Sequence, residues 1–219
     1  HVGVLHRSVN PTGTRPLWMT QAPEFEVLQT AYGVLIGARR EADADSYYYR
    51  FSHFLLPNIV LPAGSRPDQW NAHLYVPSND QHVWVWTVTW RIDRPFSDAE
   101  LARLWDGTGL HLQVDGSGRL IRRTDTPACL DRLSVAEQDE KVQVSEPEDY
   151  RTREHLGPAD QGITAVRRVL LNAVKDLAAG HEPPAVHRPD VFWVRPASGQ
   201  VLREMPFEVA ARELTTTPI

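Results

Sequence analysis

Cysteine is almost missing from this chain. Cys129 is the only one among 219 residues, so no disulfide closes within the chain, and no thiolate knuckle or cluster can be built from its own side chains. An excess of basic residues is missing too. Twenty-three Lys and Arg against 28 Asp and Glu leave a net charge of −5, which argues against the clustered basic face of a nucleic-acid binder. No apolar run approaches the roughly 20 residues of a membrane span. There is no internal repeat, and the 17 prolines are dispersed as loop punctuation. A Met-led leader with a basic stretch and an apolar run is also lacking. The chain opens abruptly on HVGVLH, and the expectation is a soluble, cytoplasmic protein whose given sequence starts inside a longer one.

What is present is a chain with 42 % hydrophobic residues, enough to bury one sizeable core or two small ones. Residues 7–23 hold three prolines and little periodicity, and read as a loop. The stretch 24–40 alternates as one long strand or a pair, with Tyr32, Val34, Ile36 and Ala38 on one face. Residues 47–64 put Tyr49, Phe51, His53 and Leu55 on one face, with Pro57 ending the regular part. Residues 70–92 read as a hairpin around Ser78-Asn79-Asp80. Its second arm sets Trp84, Trp86, Val88, Trp90 and Ile92 against Thr87, Thr89 and Arg91. Ser97 and Glu100 form a capping box that opens a helix. The strongest helix runs from Pro158 to a stop at Gly180, with Ile163, Val166, Leu170, Val174 and Leu177 as its apolar stripe. A last hairpin is predicted to turn at Ser198-Gly199. Strands in the middle and a long helix late in the chain predict an α+β fold with an antiparallel sheet.

The candidate chemistry starts with His1 and His6. Imidazole is the commonest protein ligand for iron, copper and zinc. On a regular helix, positions five apart lie about 140° apart, so a shared ion requires the helix to end or bulge between them; Gly3 permits that. Two histidines and one carboxylate make the facial triad of non-haem Fe(II) oxygenases. Asp160, in the first turn of the strongest helix, is the carboxylate proposed. The plainer readings are a surface or core histidine pair and an aspartate that complements a helix dipole, worth about 0.3–1 kcal/mol.

These residues belong to a recognisable pattern. HVGVLHRS resembles the second half of the Asp-x2-His-x4-His iron motif of Rieske non-haem iron oxygenases. The stretch 149–184 is similar to the closing helix of the phthalate-dioxygenase-like and aromatic O-demethylase branch. There Arg151, Glu154, Leu156 and Gly157 match the lead-in to the aspartate ligand, and Asp160 falls on it. Gln138-Asp139, Tyr32-Gly33 and the strands FLLPNIVLPAG and NAHLYVPSNDQHVWVW fit as well. The resemblance covers residues 1–184 as a non-haem iron catalytic domain, and 185–219 extend the same domain.

The resemblance implies a helix-grip (START-like) architecture: a curved antiparallel sheet wrapped on the long C-terminal helix, with the pocket between them. His1, His6 and Asp160 would hold one Fe(II) that activates O2 to hydroxylate or O-demethylate an aromatic compound. Electrons would come from a Rieske [2Fe–2S] cluster, which one cysteine cannot hold. A reductase or ferredoxin, drawing on NAD(P)H, would feed that cluster within a homotrimer or hexamer. Leu35, Phe51, His53, Asn71 and His73, with Trp86 less firmly, are the expected substrate-pocket residues; ordinary packing is the alternative for each. Leu35 stands near where the resemblance implies an arginine for a substrate carboxylate, which argues against phthalate itself. The stretch 120–148 is shorter than the pattern implies. The tryptophan ladder reads as core or subunit contact, Arg39 and Arg40 as a solvated strand end, and Cys129 takes no role. Two other classes compete: a metal-free helix-grip module binding an apolar small molecule, and a zinc hydrolase with Glu154 as its base.

Overall fold

The computed structural model describes residues 22–64, 68–105, 115, 117, 135–147 and 149–216. In chain order the elements are β1 (Glu24–Thr30), β2 (Gly33–Glu41), β3 (Ser46–Leu55), β4 (Ile59–Leu61), β5 (Gln69–Pro77), β6 (Val83–Arg91), α1 (Asp98–Leu104), α2 (Val135–Ser145), α3 (Tyr150–Arg153), a 3₁₀ turn (Pro158–Asp160), α4 (Gln161–Ala178), a second 3₁₀ turn (Pro189–Phe192), β7 (Ala197–Leu202) and α5 (Phe207–Thr215). They fall into two units. Of the described residues, one comprises those within 91–154, the other those within 22–90 and 155–216.

The larger unit is built on an antiparallel sheet, so the fold is α+β as expected. Six strands run in sequence order from β1 to β6, and β7 joins by pairing with β3. β3 is ten residues long and shares its far edge: its first half pairs with β7 and its last three residues with β4. The 24–40 stretch is a strand pair. Its turn places Gly33 at φ +145°, a conformation L side chains rarely adopt. A Cβ there would also lie 2.3 Å from the carbonyl oxygen of Phe54. Gly33→Ala should therefore cost about 1–3 kcal/mol, visible as a lowered urea midpoint with the m-value unchanged.

Both faces of this sheet are covered, which decides where every alternating residue goes. Val34 and Phe54, with Val27, Ile36 and Val60, meet Val166, Val169 and Leu170 of α4 on one face. Leu35, Tyr49 and Phe51 meet Val201 of β7 and Ala210 and Ala211 of α5 on the other. Helix α4 lies so close that a Cβ on Gly162 would fall 2.8 Å from Ile36 Cδ1. That contact fixes how the helix is rolled. Gly162 and Val169 are its buried residues, with Ala165, Val166 and Leu170 beside them. The predicted stripe is corrected accordingly: Val166 and Leu170 face the sheet, whereas Ile163, Val174 and Leu177 are exposed. Gly180, at φ +85°, ends the helix as the sequence indicates.

The C-terminal part also departs from expectation. Ser198 and Gly199 do not turn; they lie inside β7, paired with Arg50 and Tyr49. The free half of β3's edge supplies a ladder that a hairpin would have left unused. Leu214 of α5 packs beside Gly199, at ordinary contact distance from where a Cβ would stand. Helix α5 follows β7 where the sequence pattern predicts no element.

In the smaller unit the capping box forms as read. Glu100 N–H donates to Ser97 Oγ at 3.4 Å, and Ser97 N–H donates to Glu100 Oε2 at 2.9 Å. Arg94 clamps the same carboxylate from 2.7 Å, and holds it well below the usual carboxylate range. Helix α2 lies in the stretch read only as short, and it buries Gln138.

Candidate active site

Asp160 closes the 3₁₀ turn that enters α4. This turn packs beside β1, and Pro158 pre-sets its first residue. The backbone N–H of Gly157 donates to Asp160 Oδ2 at 2.8 Å, which fixes the side-chain rotamer. Among the described residues no hydrogen bond is formed by the other carboxylate oxygen, and the residue is half-buried. A carboxylate with one oxygen tethered and the other open suits a monodentate metal ligand. His1 and His6 lie outside the described residues. Among the described residues no three His, Cys, Asp or Glu converge to hold an ion.

The five expected pocket residues separate onto two faces of the sheet. Leu35, His53 and Leu61 are cross-strand partners and share the face turned away from α4. Leu35 is 3 % exposed and Phe51 is fully buried, both in the cluster under α5. Val60 pairs with His73, which puts His73, and Asn71 two residues before it, on the face that α4 partly covers. There they meet the polar side of β6: His73 Nδ1 lies 3.0 Å from Thr87 Oγ1, and Thr89 Oγ1 donates to Asn71 Oδ1 at 2.7 Å. This two-threonine partner set was visible in the alternation of β6, but only the pairing shows what it serves. Trp86 lies on the opposite side of β6 and is 61 % exposed.

His53 has a fully specified environment. Its Nε2 lies 3.0 Å from the carbonyl oxygen of Arg195, and its Nδ1 lies 2.8 Å from Tyr32 Oη. A carbonyl only accepts, so the proton sits on Nε2 and Nδ1 accepts from the tyrosine hydroxyl. Both ring nitrogens are thereby used, which leaves neither for a metal or a substrate. The contact ties the 194–196 segment to the sheet. Burial pulls the imidazole down to about 4, against a smaller opposing effect of the Arg195 carbonyl. Burial likewise pushes Tyr32 up to about 12.

The pH consequence follows from linkage. Between the unfolded value near 6.5 and the folded value near 4, the unfolded chain holds one more proton at this site than the folded one. Stability is therefore whole above pH 6.5 and falls as pH drops toward 4, by about 1.4 kcal/mol per pH unit. Urea midpoints at pH 7 and pH 5 should show the loss. His53→Gln, which can still accept from Tyr32 and donate to Arg195, should flatten it.

An open groove lies elsewhere, on the outward side of α4. It is lined by Leu156, Thr164, Arg167, Arg168, Leu171, Asn172 and Lys175, and holds none of the expected site residues.

No family model matches the chain. It is 29 % identical to the oxygenase subunit of 3-chlorobenzoate-3,4-dioxygenase from Comamonas testosteroni, over 92 % of the chain and 53 % of that protein. It is 26 % identical to the oxygenase subunit of phthalate 4,5-dioxygenase from Pseudomonas putida, over 73 % of the chain and 40 % of that protein. The chain thus spans about half the length, or less, of these curated relatives. No helix among the described residues is long and apolar enough to cross a membrane.

Proposed function

We propose that this chain is the catalytic part of a Rieske-type, mononuclear non-haem Fe(II) oxygenase that hydroxylates or O-demethylates an aromatic compound. The observation that carries the reading is the likeness to two dioxygenase oxygenase subunits, one of them along 92 % of the chain. The tethered, half-open carboxylate of Asp160 supports it. In this reading the fold is a helix-grip. His1, His6 and Asp160 hold the iron, which supplies O2 activation when bound.

The chain's own residues do the remaining work. Gly157 N–H orients the Asp160 carboxylate. Asn71 and His73, steadied by Thr89 and Thr87, present amide and imidazole groups that orient a substrate. The apolar packing of α4 on β1 and β2 keeps water from that end of the sheet. Electrons must enter from outside the chain. A Rieske cluster takes two cysteine thiolates, and this chain has one cysteine. A [2Fe–2S] domain fed by a reductase or ferredoxin, with NAD(P)H as the ultimate source, completes the system in a homotrimer or hexamer.

The test is metal analysis of the 219-residue chain after anaerobic loading with Fe(II) and desalting. The reading expects one tightly held iron per chain. A chain that binds an apolar ligand but no stoichiometric iron would be a carrier, and the oxygenase assignment would fail.

A further inference from the structure

Asn71 carries the observation that goes furthest, because its amide is held in one of its two orientations. A carboxamide has one oxygen that accepts and one NH2 that donates. Thr89 Oγ1 donates to Asn71 Oδ1 at 2.7 Å, so the oxygen is turned toward β6 and occupied. The NH2 points the other way. Among the described residues it forms no hydrogen bond, and Asn71 is half-buried. Covering such a donor is costly unless the covering group brings an acceptor.

The place of Asn71 in the sheet fits a ligand that also reaches Asp160. His73 shares a cross-sheet row with Val34, Phe54 and Val60. Asn71, two residues before it, falls on the next row of that face, with Ile36 and Ser52. Gly162 docks on Ile36, two residues beyond Asp160. Asn71 and the Asp160 turn therefore stand at one level of the sheet, three strand spacings or about 14 Å apart. That span matches an aromatic ring at the Asp160 end with a polar substituent at the Asn71 end. The side chain between them in this row, Ser52, is small.

We infer that Thr89 is a positioning residue that makes this site select its substrate by hydrogen-bond polarity. By holding the Asn71 oxygen, Thr89 presents only the NH2, so the site takes an aromatic compound bearing an acceptor oxygen (a carboxylate, phenolate or ether) over one bearing a donor. The inference rests on the proposed placement of the substrate beside Asn71. Thr89 itself acts through the amide. Valine has nearly the shape of threonine without the hydroxyl, so in Thr89→Val the amide turns over and offers its oxygen as well.

NMR titration of the 219-residue chain with two probes of similar shape tests this: benzoate, which only accepts, and benzylammonium, which only donates. The parent should bind benzoate at least about tenfold more tightly, the worth of one hydrogen bond to a charged group. The Asn71 side-chain NH2 resonances should shift along that titration. In Thr89→Val the benzoate affinity should fall about tenfold and the preference should narrow. Thr89→Ser, which keeps the hydroxyl, should restore both. If Thr89→Val does not fold, Asn71→Asp keeps the oxygen that Thr89 holds and replaces the NH2 with a second acceptor; it should lose benzoate and favour benzylammonium. A parent without a preference for benzoate overturns the inference. So does a Thr89→Val that weakens both probes alike, as a threonine serving only the fold would, or an Asn71→Asp with the parent's preference. Iron content separates this from the oxygenase reading. A chain that holds no iron yet prefers benzoate sinks that reading and leaves the inference standing; an iron-loaded chain without the preference does the reverse.

Discussion

Asp160→Ala and Asp160→Asn should both lose iron, but only the first should lose stability. The alanine variant removes the carboxylate and also orphans the Gly157 N–H that now donates to Oδ2. Losing such a cap costs about 0.5–2 kcal/mol. The asparagine variant keeps an oxygen for that N–H but carries no charge. Its thermal midpoint should stay near the parent's. Its iron affinity should still fall by well over the roughly 10–100-fold seen for disturbed outer-shell partners, because a ligand itself is weakened. His6→Ala should join Asp160→Asn in losing metal. Anaerobic iron titration read beside thermal unfolding separates a ligand from a helix cap. A full complement of iron in Asp160→Asn would reduce this aspartate to a cap, and would leave the proposed triad without its third member.

Phe51→Ala should be the most destabilising single truncation considered. The side chain is fully buried and stacks on Tyr49 with ring centroids 5.0 Å apart and planes 6° from parallel. Phe207 of α5 lies 5.9 Å away. Removing a buried aromatic ring costs about 3–5 kcal/mol, because the transfer energy and the cavity both count. Against a domain stability of roughly 5–15 kcal/mol, that is between about a fifth and the whole of it. Phe51→Leu, closer in volume, should cost about 1.5 kcal/mol or less. Urea denaturation of the three chains measures the ladder. If Phe51 lined a substrate pocket instead, Phe51→Ala would leave the urea midpoint nearly unchanged and alter which compounds bind.

The contrast between these two residues shows what kind of information each level holds. Asp160 could be singled out from sequence because its surroundings are local: Pro158 starts a turn, and Gly157 lies three residues before the carboxylate it tethers. Phe51 could not be placed that way. Period-two alternation sorts the residues of β2 and β3 onto two faces, but both faces are apolar, since α4 covers one and α5 covers the other. Alternation alone therefore could not say which face looks toward the long helix. For that reason sequence alone groups Leu35, Phe51 and His53 with Asn71 and His73, although the sheet holds them apart.

By itself the sequence determined what depends on neighbours along the chain: the hairpin of β5 and β6, the capping box at Ser97, and the helix that Gly180 stops, while 24–40 stayed open between one strand and a pair. Tertiary structure decided the rest. Docking against Ile36 chose the buried side of α4, the vacant edge of β3 drew Ser198 and Gly199 into a strand, and the Arg195 carbonyl set the tautomer of His53. Each of these is a contact between residues far apart in sequence. Its energy exists only once the chain has folded, so no short window of residues carries it.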